Sequence, residues 1–333
     1  MTQENDSHRK LYVGTLDGVC AVSSSNSGLS WEQGPVTPLD NAAARLSVST
    51  TQPGRAYLAA YEAGVFRTDD AGGTWRHLPS FPTGYAHCVL AHPAVAETLF
   101  VGSEPAAVFR SDDGGDSWEE CQEFQAVPES EQWNFHGDRL SHVRELRMAP
   151  GNPDVMYAGI EVGGVVRTRD GGKNWKQLQG TNDDIHFVNI SEASPNRVYL
   201  ATAQAPYRSD DGGDNWFLIN SGLERRYTLH IAASPSDAEL VLVSVSTNAG
   251  RSNPQFYRST TGGRIWAIIE SVGNVEDMVV AFDWDPVNRD RVYAGTDGGK
   301  IFCSHDGGQN WDQLPIELPA IAIGSLVVAP SAN

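Results

Sequence analysis

The chain is built from short apolar runs separated by turns rich in glycine, proline and asparagine. Between residues 142 and 178, HVRELRMAP is followed by VMYAGI, GVVRT and NWKQL, with a turn between successive runs. Runs of this length, rich in valine, isoleucine and aromatic residues and bounded by turn formers, predict β-strands. The pattern therefore predicts groups of four short strands.

A ten-residue motif that ends in tryptophan marks each group. Its copies are FRTDDAGGTW, FRSDDGGDSW, VRTRDGGKNW, YRSDDGGDNW, YRSTTGGRIW, FCSHDGGQNW and the more divergent VSSSNSGLSW. The closing tryptophans lie 41 to 57 residues apart and are Trp31, Trp75, Trp118, Trp175, Trp216, Trp266 and Trp311. A repeat of this period is typical of propeller blades with four strands each. Seven copies predict seven blades.

The order of strands predicts how the ring closes. The innermost strand of each blade is predicted at residues 45–50, 85–91, 142–149, 186–192, 227–233, 275–283 and 321–328. The sequence opens with a second strand at residues 11–15, so the last strand is expected to complete the first blade and remove the free sheet edges. We therefore expect an all-β seven-bladed β-propeller, with residues 1–333 in one domain and residues 1–10 as a flexible N-terminal segment.

The acidic motif is predicted to be a structural turn. In FRSDDGGDSW the recurring positions are Ser111, Asp113, Gly115, Ser117 and Trp118. A short aspartate side chain accepts hydrogen bonds from nearby backbone N–H groups, and glycine takes the positive φ that the bend requires. Two other copies have asparagine or threonine in place of the aspartate. A turn tolerates that change better than a metal site does.

This motif resembles the Asp-box, also called the BNR repeat, and its seven copies cover nearly the whole chain. Proteins that contain it include sialidases, xyloglucan-cleaving glycosidases, sortilin-type receptor domains and photosystem II assembly factors. The resemblance implies the propeller fold. It does not fix the function, because propellers carry many unrelated activities.

Composition restricts the setting and the partners. The N-terminal MTQENDSHRK is polar, and no run approaches the length of about 20 apolar residues that spans a bilayer. The four cysteines form no CxxC pair and are expected to be free thiols. The net charge of −18 opposes binding to nucleic acid or to an anionic membrane. We expect a cytoplasmic protein.

The ligand site is expected at the channel mouth on the face opposite the Asp-box turns, where propellers usually bind ligands. Two kinds of segment meet there: the starts of the inner strands and the loops between second and third strands. They supply His87, His142, His186, His230, Arg45, Arg144, Arg225, Arg226, Tyr227, Asp184 and Glu161. Charged and imidazole groups are costly to bury unless they are paired or used. Pairs that only pin the blades together are the alternative.

The longest insertion, residues 119–141, is predicted to lie over the channel mouth. Its end carries Trp133, Phe135 and His136. An aromatic loop in that place suits a lid or a stacking wall for a sugar, and Trp133 and His136 are assigned to substrate binding. Packing of these aromatic side chains onto the blade is the equal alternative.

One functional hypothesis is a sialidase-like glycosidase. The resemblance to sialidases implies three arginines around a substrate carboxylate, a Tyr/Glu nucleophile pair and an aspartate acid/base. The arginines are taken from Arg45, Arg144, Arg225 and Arg226, and the catalytic groups are Tyr227, Glu161 and Asp184. The Phe/Tyr-Arg-Ile-Pro motif of that family is absent, so the first arginine has no matching position.

A second hypothesis is a metal-assisted lyase or hydrolase. His87, His142, His186 and His230 lie on four consecutive predicted inner strands, and imidazoles with carboxylates suit a divalent transition metal. His142 acts here as metal ligand or base. Ligands on separate strands leave no local motif, and an error of one residue in register reverses the direction of a side chain.

A third hypothesis is a non-catalytic binding or assembly module, in which the polar mouth is a recognition patch and the acidic surface meets a basic partner. The sequence favours the two enzyme hypotheses together, with a small anionic or carbohydrate ligand. We further expect six side chains to converge on that ligand: His142, Arg144, Glu161, His186, Arg226 and Tyr227.

Overall fold

The computed structural model describes residues 9–26, 28, 30–39, 43–134, 140–270 and 276–330. These residues form seven antiparallel sheets, each with a path of four strands. The innermost strands of neighbouring sheets contact one another in a closed cycle around a central channel. The predicted all-β seven-bladed propeller is confirmed.

The blades are numbered in chain order, and each is given from its inner to its outer strand. Blade 1 contains β29 (Ile321–Val328), β1 (Arg9–Thr15), β2 (Gly18–Ser24) and β3 (Glu32–Gln33). Blade 2 contains β5 (Ala43–Val48), β6 (Ala56–Ala60), β7 (Gly64–Thr68) and β8 (Arg76–His77). Blade 3 contains β9 (Ala86–Ala91), β10 (Leu99–Ser103), β11 (Val108–Ser111) and β12 (Glu119–Glu120). The short strand β4 (Thr37–Pro38) also pairs with β2.

The other four blades follow the same order. Blade 4 contains β13 (Val143–Ala149), β14 (Asn152–Ile160), β15 (Gly164–Thr168) and β16 (Trp175–Leu178), and blade 5 contains β17 (Ile185–Ile190), β18 (Val198–Thr202), β19 (Tyr207–Ser209) and β20 (Phe217–Leu218). Blade 6 contains β21 (Tyr227–Ala233), β22 (Val241–Ser246), β23 (Gln255–Ser259) and β24 (Ala267–Ile268). Blade 7 contains β25 (Val279–Trp284), β26 (Val292–Thr296), β27 (Ile301–Ser304) and β28 (Asp312–Gln313).

The last strand closes the ring as predicted. β29 pairs antiparallel with β1, with Leu11 opposite Val328 and Val13 opposite Leu326. Blade 1 therefore takes its inner strand from the C-terminal end of the sequence and its other strands from the N-terminal end. This pairing covers the edge that β1 would otherwise expose.

The first strand begins earlier than the sequence pattern indicated. β1 starts at Arg9, so residues 9 and 10 belong to the sheet and not to a flexible segment. Arg9 Nε lies 2.9 Å from Asp285 Oδ2, and both side chains are almost fully buried. The ion pair ties the first strand to the turn that follows β25 of blade 7.

The hydrophobic interior is divided among the interfaces between blades. Seven clusters of buried side chains occur among the described residues, one at each interface. Between blades 2 and 3, for example, Tyr57 and Leu78 of one sheet pack on Val89, Leu99 and Phe109 of the next. All four cysteines are free, and three of them are buried. Stability is thus distributed around the ring and leaves the channel to polar residues.

The Asp-box has the geometry of a hydrogen-bonded turn. In the copy in blade 3, Asp113 accepts hydrogen bonds from the backbone N–H and the hydroxyl of Ser117, at 2.8 and 2.6 Å. Ser111 Oγ donates to Asp113 and accepts from the N–H of Gly115. Gly115 has φ +97°, and a Cβ there would meet Leu78 of the neighbouring blade. Both facts require glycine at this position.

The insertion after β12 packs on the interface between blades 3 and 4. It forms a short helix, α1 (Gln122–Gln125), and a 3-10 turn, Pro128–Gln132. Phe124 is fully buried against Trp175, and Trp133 packs on Phe124 and donates a hydrogen bond to Gln177 of the outer strand β16. The described part of the insertion therefore lies on the blade interface instead of over the mouth. Phe135 and His136 lie outside the described residues. Among the residues that the structure describes, no helix is long and apolar enough to cross a membrane.

Candidate functional site

The inner strands shift register near their starts, and this shift places particular side chains at the channel mouth. In blades 3, 4 and 5, the inner-strand residue that has no opposite partner on the second strand is His87, Arg144 and His186, respectively. An extra residue of this kind bends the strand and redirects its side chain. The same irregularity in three consecutive blades redirects three of the predicted site residues, of which His87 and Arg144 line the mouth and His186 is buried beside it.

A cavity of about 430 Å³ opens on this face. Its walls come from the starts of inner strands and from residues that directly follow second strands: Leu16, Arg45, Tyr61, His87, His142, Arg144, Glu161, Arg251, Asp297 and residues 320–323. The volume is in the range of small-ligand pockets. Five of the predicted site residues line it, namely Arg45, His87, His142, Arg144 and Glu161.

Arg45 forms the floor of this cavity. From blade 2 it crosses the channel, and its Nε lies 2.9 Å from Glu145 Oε2 of blade 4. It also donates to the carbonyl oxygen of Ile323 in blade 1 and lies 3.4 Å from that of His186 in blade 5. Arg45 and Glu145 are 5% and 3% exposed. Contacts to blades 1, 4 and 5 therefore hold Arg45 at the floor of the cavity.

The same level of the channel contains Phe187 and His230. The rings of these two residues lie 3.7 Å apart between centroids, and the guanidinium of Arg147 lies 4.8 Å above the Phe187 ring. Burial lowers the pKa of His230 well below 6.5, and the nearby Arg45 and Arg147 act in the same direction. His230 is a neutral packing residue of the floor.

His87 and His142 form a compact group with Glu104. His87 Nε2 lies 3.1 Å from Glu104 Oε2, and His142 Nδ1 lies 3.6 Å from the same oxygen. The two imidazoles stack with their centroids 3.7 Å apart and their planes within 17°. Burial lowers the pKa of each histidine to about 4. Both rings are therefore neutral at physiological pH.

Glu161 is held by two neighbours. Arg144 donates a hydrogen bond to its Oε2, and His142 Nε2 lies 3.4 Å from the same atom. The backbone N–H of Glu161 donates to the carbonyl of His142 at 3.0 Å, which fixes the carboxylate beside the imidazole. Burial, with Arg45 nearby, lowers the pKa of Arg144 to about 10, so its guanidinium is still charged at neutral pH.

His186, Asp184 and Tyr227 form a separate group. His186 is fully buried, its Nδ1 donates to the carbonyl of Thr228 at 2.6 Å, and its Nε2 lies 3.4 Å from Asp184 Oδ1. The ring of Tyr227 packs on that of His186 with centroids 4.7 Å apart. Burial raises the pKa of Tyr227, although Arg144 acts against it. His186 therefore serves as a structural link between blades 5 and 6.

Several predicted site residues do not reach the cavity. Arg225 pairs with its neighbour Glu224 at 3.2 Å, and Arg226 is exposed on the rim. Trp133 lies at the blade interface, and His136 lies outside the described residues. The three arginines of the sialidase hypothesis are therefore not gathered. The four-histidine metal set is not formed either, because His186 and His230 have the other partners described above.

The sequence did not indicate three charged or aromatic residues of the cavity: Tyr61, Arg251 and Asp297. The ring of Tyr61 packs on that of His87, with centroids 4.9 Å apart, and Arg251 pairs with Asp297 at 2.9 Å. Tyr61 and Asp297 directly follow the second strands of their blades, as Glu161 does. The residue that directly follows the second strand of a blade can be located in the sequence, and this position would have identified Tyr61 and Asp297.

The mouth is suited to binding more than to proton transfer. Glu161 is paired with an arginine, and the two histidines that line the cavity have pKa values of about 4. A general acid or base works best when its pKa lies near the working pH. Neutral imidazoles and fixed charges instead offer hydrogen bonds, ion pairs and ligand atoms for a metal.

No protein-family model matches the sequence. The chain is 23% identical over 287 residues to the photosystem II assembly lipoprotein Ycf48 of Synechococcus sp. (strain CC9902), which covers 84% of this chain and 77% of that protein. A structure of YCF48 bound to D1 peptide superposes with a TM-score of 0.61 at 18% identity and covers 87% of each chain.

The GH74 enzyme of Niastella koreensis superposes with a TM-score of 0.64 at 20% identity. The match covers 81% of this chain but 45% of the enzyme, so the chain spans less than half of the enzyme's length. Both enzymes and assembly proteins therefore share its fold, and the named sequence relative matched over most of its length is an assembly protein. The chain is a seven-bladed propeller with Asp-box turns, as the sequence motif predicted.

Proposed function

We propose that the chain is a non-catalytic assembly or scaffold propeller that binds a segment of a partner protein at its channel mouth. The observation that carries this proposal is the way the would-be catalytic groups are occupied. Glu161 contacts Arg144 and His142, while Tyr227 packs on His186. A tyrosine nucleophile needs an adjacent base, and its raised pKa makes activation harder.

The similarity to Ycf48 supports the same function. It extends over most of both chains, and one solved structure of such a protein holds a peptide. The likeness to GH74 enzymes supports catalysis less, since it covers less than half of the Niastella koreensis enzyme.

The overall charge of the chain indicates the class of partner. Charges of both signs line the cavity, from Arg45, Arg144, Arg251, Glu161 and Asp297, and both signs also lie beside it, as in the pair of Arg147 with Glu145. The whole chain, by contrast, carries a net charge of −18. Complementary charge favours association and orients it. The partner segment is therefore proposed to be basic.

A photo-crosslinking residue at Tyr85 tests this proposal. Tyr85 is 42% exposed on the mouth rim, where its ring packs on Tyr61, while Val287 is 49% exposed in a turn on the opposite face and gives the matched control. In extract of the native cells, we expect a discrete crosslinked protein from position 85 and none from position 287. The yield should fall at high salt, because exposed charge pairs are screened.

Hydrolysis assays test the alternative that the protein is an enzyme. Wild-type protein is incubated with xyloglucan oligosaccharides and with a fluorogenic sialoside, in parallel with Glu161→Gln. Turnover by the wild type that is lost in the variant would establish an enzyme. Equal crosslinking from positions 85 and 287 would likewise remove the mouth as the binding surface.

A further inference from the structure

We infer that His87, Glu104 and His142 form a binding site for a divalent transition metal, and that zinc is the ion their donor set fits. One ligand atom from each residue lies within 4.8 Å of the other two. Two imidazole nitrogens and one carboxylate oxygen are a set that holds zinc and leaves a further coordination position open. The inference does not depend on the identity of the protein partner.

The distances fit a single ion. With metal–ligand bonds of about 2.1 Å, ligand atoms in a tetrahedral site lie about 3.4 Å apart. The observed separations from Glu104 Oε2 are 3.1 Å to His87 Nε2 and 3.6 Å to His142 Nδ1. An ion at their centre needs little movement of the backbone. Both strands and the loop that carry these residues belong to adjoining blades 3 and 4.

The surroundings of His142 select the nitrogen that would coordinate. Nε2 lies 3.4 Å from Glu161, whereas Nδ1 is buried and has no hydrogen-bond partner. Metal-bound histidines commonly donate their other N–H to a carboxylate, which fixes the tautomer and the ring. Glu161 occupies that place, and Arg144 in turn holds Glu161. The lone pair of Nδ1, 3.6 Å from Glu104 Oε2, is thereby left available for a metal ion.

Two local adjustments accompany binding. The proton that His87 Nε2 donates to Glu104 leaves that nitrogen, and the ring takes up one proton on Nδ1, so that it stays neutral and Nε2 presents a lone pair to the ion. Because the two imidazole planes are within 17° of parallel, their lone pairs do not meet at one point, so one ring turns about its Cβ–Cγ bond. That torsion has a broad energy profile in histidine. The adjoining cavity gives the ring room and exposes the open coordination position.

Neither of the other two mouth histidines belongs to this site. His186 bonds to Thr228 and His230 packs on Phe187, so the donor set found in the described part of the chain contains two imidazoles. The carboxylate is Glu104, which directly follows β10 and is anchored by its backbone N–H to the carbonyl of Tyr85 at 3.1 Å. The cluster is thus smaller than the four-histidine site expected from the sequence, and it has a different composition.

Zinc titration of the untagged full chain, stripped with chelator, tests the site. Isothermal calorimetry should give one equivalent of bound zinc, and cobalt(II) in its place should give the visible absorption bands of a four- or five-coordinate ion. Glu104→Gln keeps the size and hydrogen-bonding capacity of the side chain and should weaken zinc binding at least tenfold, since even outer-shell changes cost about 10–100-fold. His142→Gln should do the same.

His77→Gln is the matched control, because His77 is an exposed imidazole on the outer strand of blade 2. It should bind zinc like the wild type. Histidine NMR signals of the wild type give a test that needs no variant: zinc should shift those of His87 and His142 and not that of His77. Unchanged affinity in Glu104→Gln and His142→Gln, equal loss in His77→Gln, or no binding at micromolar zinc would each overturn the inference.

Discussion

The substitution Glu145→Gln should destabilise the propeller from the centre of its channel. Glu145 is 3% exposed and accepts a hydrogen bond from Arg45 Nε at 2.9 Å, and its Oε1 forms an ion pair with Arg147 Nε at 2.9 Å. The neutral amide leaves the Arg45 guanidinium buried without its carboxylate. Removing one partner of a buried ion pair typically costs about 3–5 kcal/mol. Arg147 contributes less, because its side chain is 40% exposed and can turn to water.

Urea unfolding measures this change in the free energy of unfolding. The midpoint should fall while the slope stays constant, since the surface exposed on unfolding is the same. Glu120→Gln, in the exposed outer strand of blade 3, is the control and should stay within about 0.5 kcal/mol of the wild type.

A double-mutant cycle separates the ion pair from simple loss of packing. Arg45→Met removes the buried charge, so adding it to Glu145→Gln should recover stability, with a coupling of about 2 kcal/mol or more. A loss below about 1 kcal/mol in Glu145→Gln, or additive losses in the double variant, would refute the idea that this pair holds the floor of the mouth.

Three further changes test the ring, the turns and the floor. Deleting residues 324–333 removes most of β29, including the buried Leu326 and Val328. The deletion should lower the free energy of unfolding by at least about 3–6 kcal/mol and cause aggregation. Thermal melting like that of the full chain would disprove the closure of the ring by β29. Asp113→Ala should cost about 1 kcal/mol in urea unfolding and leave binding at the mouth intact. Because the pKa of His230 is below 6.5 in the folded state, its contribution to stability should be full above that pH and fall below it. The variant His230→Leu should reduce, without abolishing, the change in urea midpoint between pH 7 and 5.5, because burial also lowers the pKa of His87, His142 and His186.

The fold was predictable because its signal is repeated. Each Asp-box fixes one turn through bonds such as those of Asp113 with Ser117, and the same pattern holds at Asp70, Asp170, Asp211 and Asp306. Where threonine replaces aspartate, Thr261 Oγ1 still accepts the N–H of Ile265 at 2.9 Å. Seven such turns, spaced 41 to 57 residues apart, leave few alternatives to seven blades. The divergent copy VSSSNSGLSW therefore did not weaken the prediction of seven blades.

The site was predictable in position but not in detail. The sequence placed His87, His142 and His186 at the starts of inner strands, and the structure has them there. It did not indicate that one residue in each of these strands lacks a partner, since a register shift leaves no compositional mark. A shift of one residue exchanges the two faces of a strand. The shift alone does not set the surroundings of the side chain, because His87 and His186 hold equivalent positions in their blades, yet His87 lines the cavity and His186 is fully buried.

The contrast between floor and wall explains how one fold carries different ligands. The floor is fixed by contacts across the channel, above all that of Arg45 with Glu145, and a change there destabilises the ring. The wall includes the residue that follows the second strand of a blade. This residue is Tyr61, Glu161 or Asp297 in different blades, and each of the three borders the cavity. Substitutions in the wall can therefore alter recognition at little cost to stability. The chemistry of this propeller is encoded where its repeats differ, in the positions that the Asp-box pattern does not constrain.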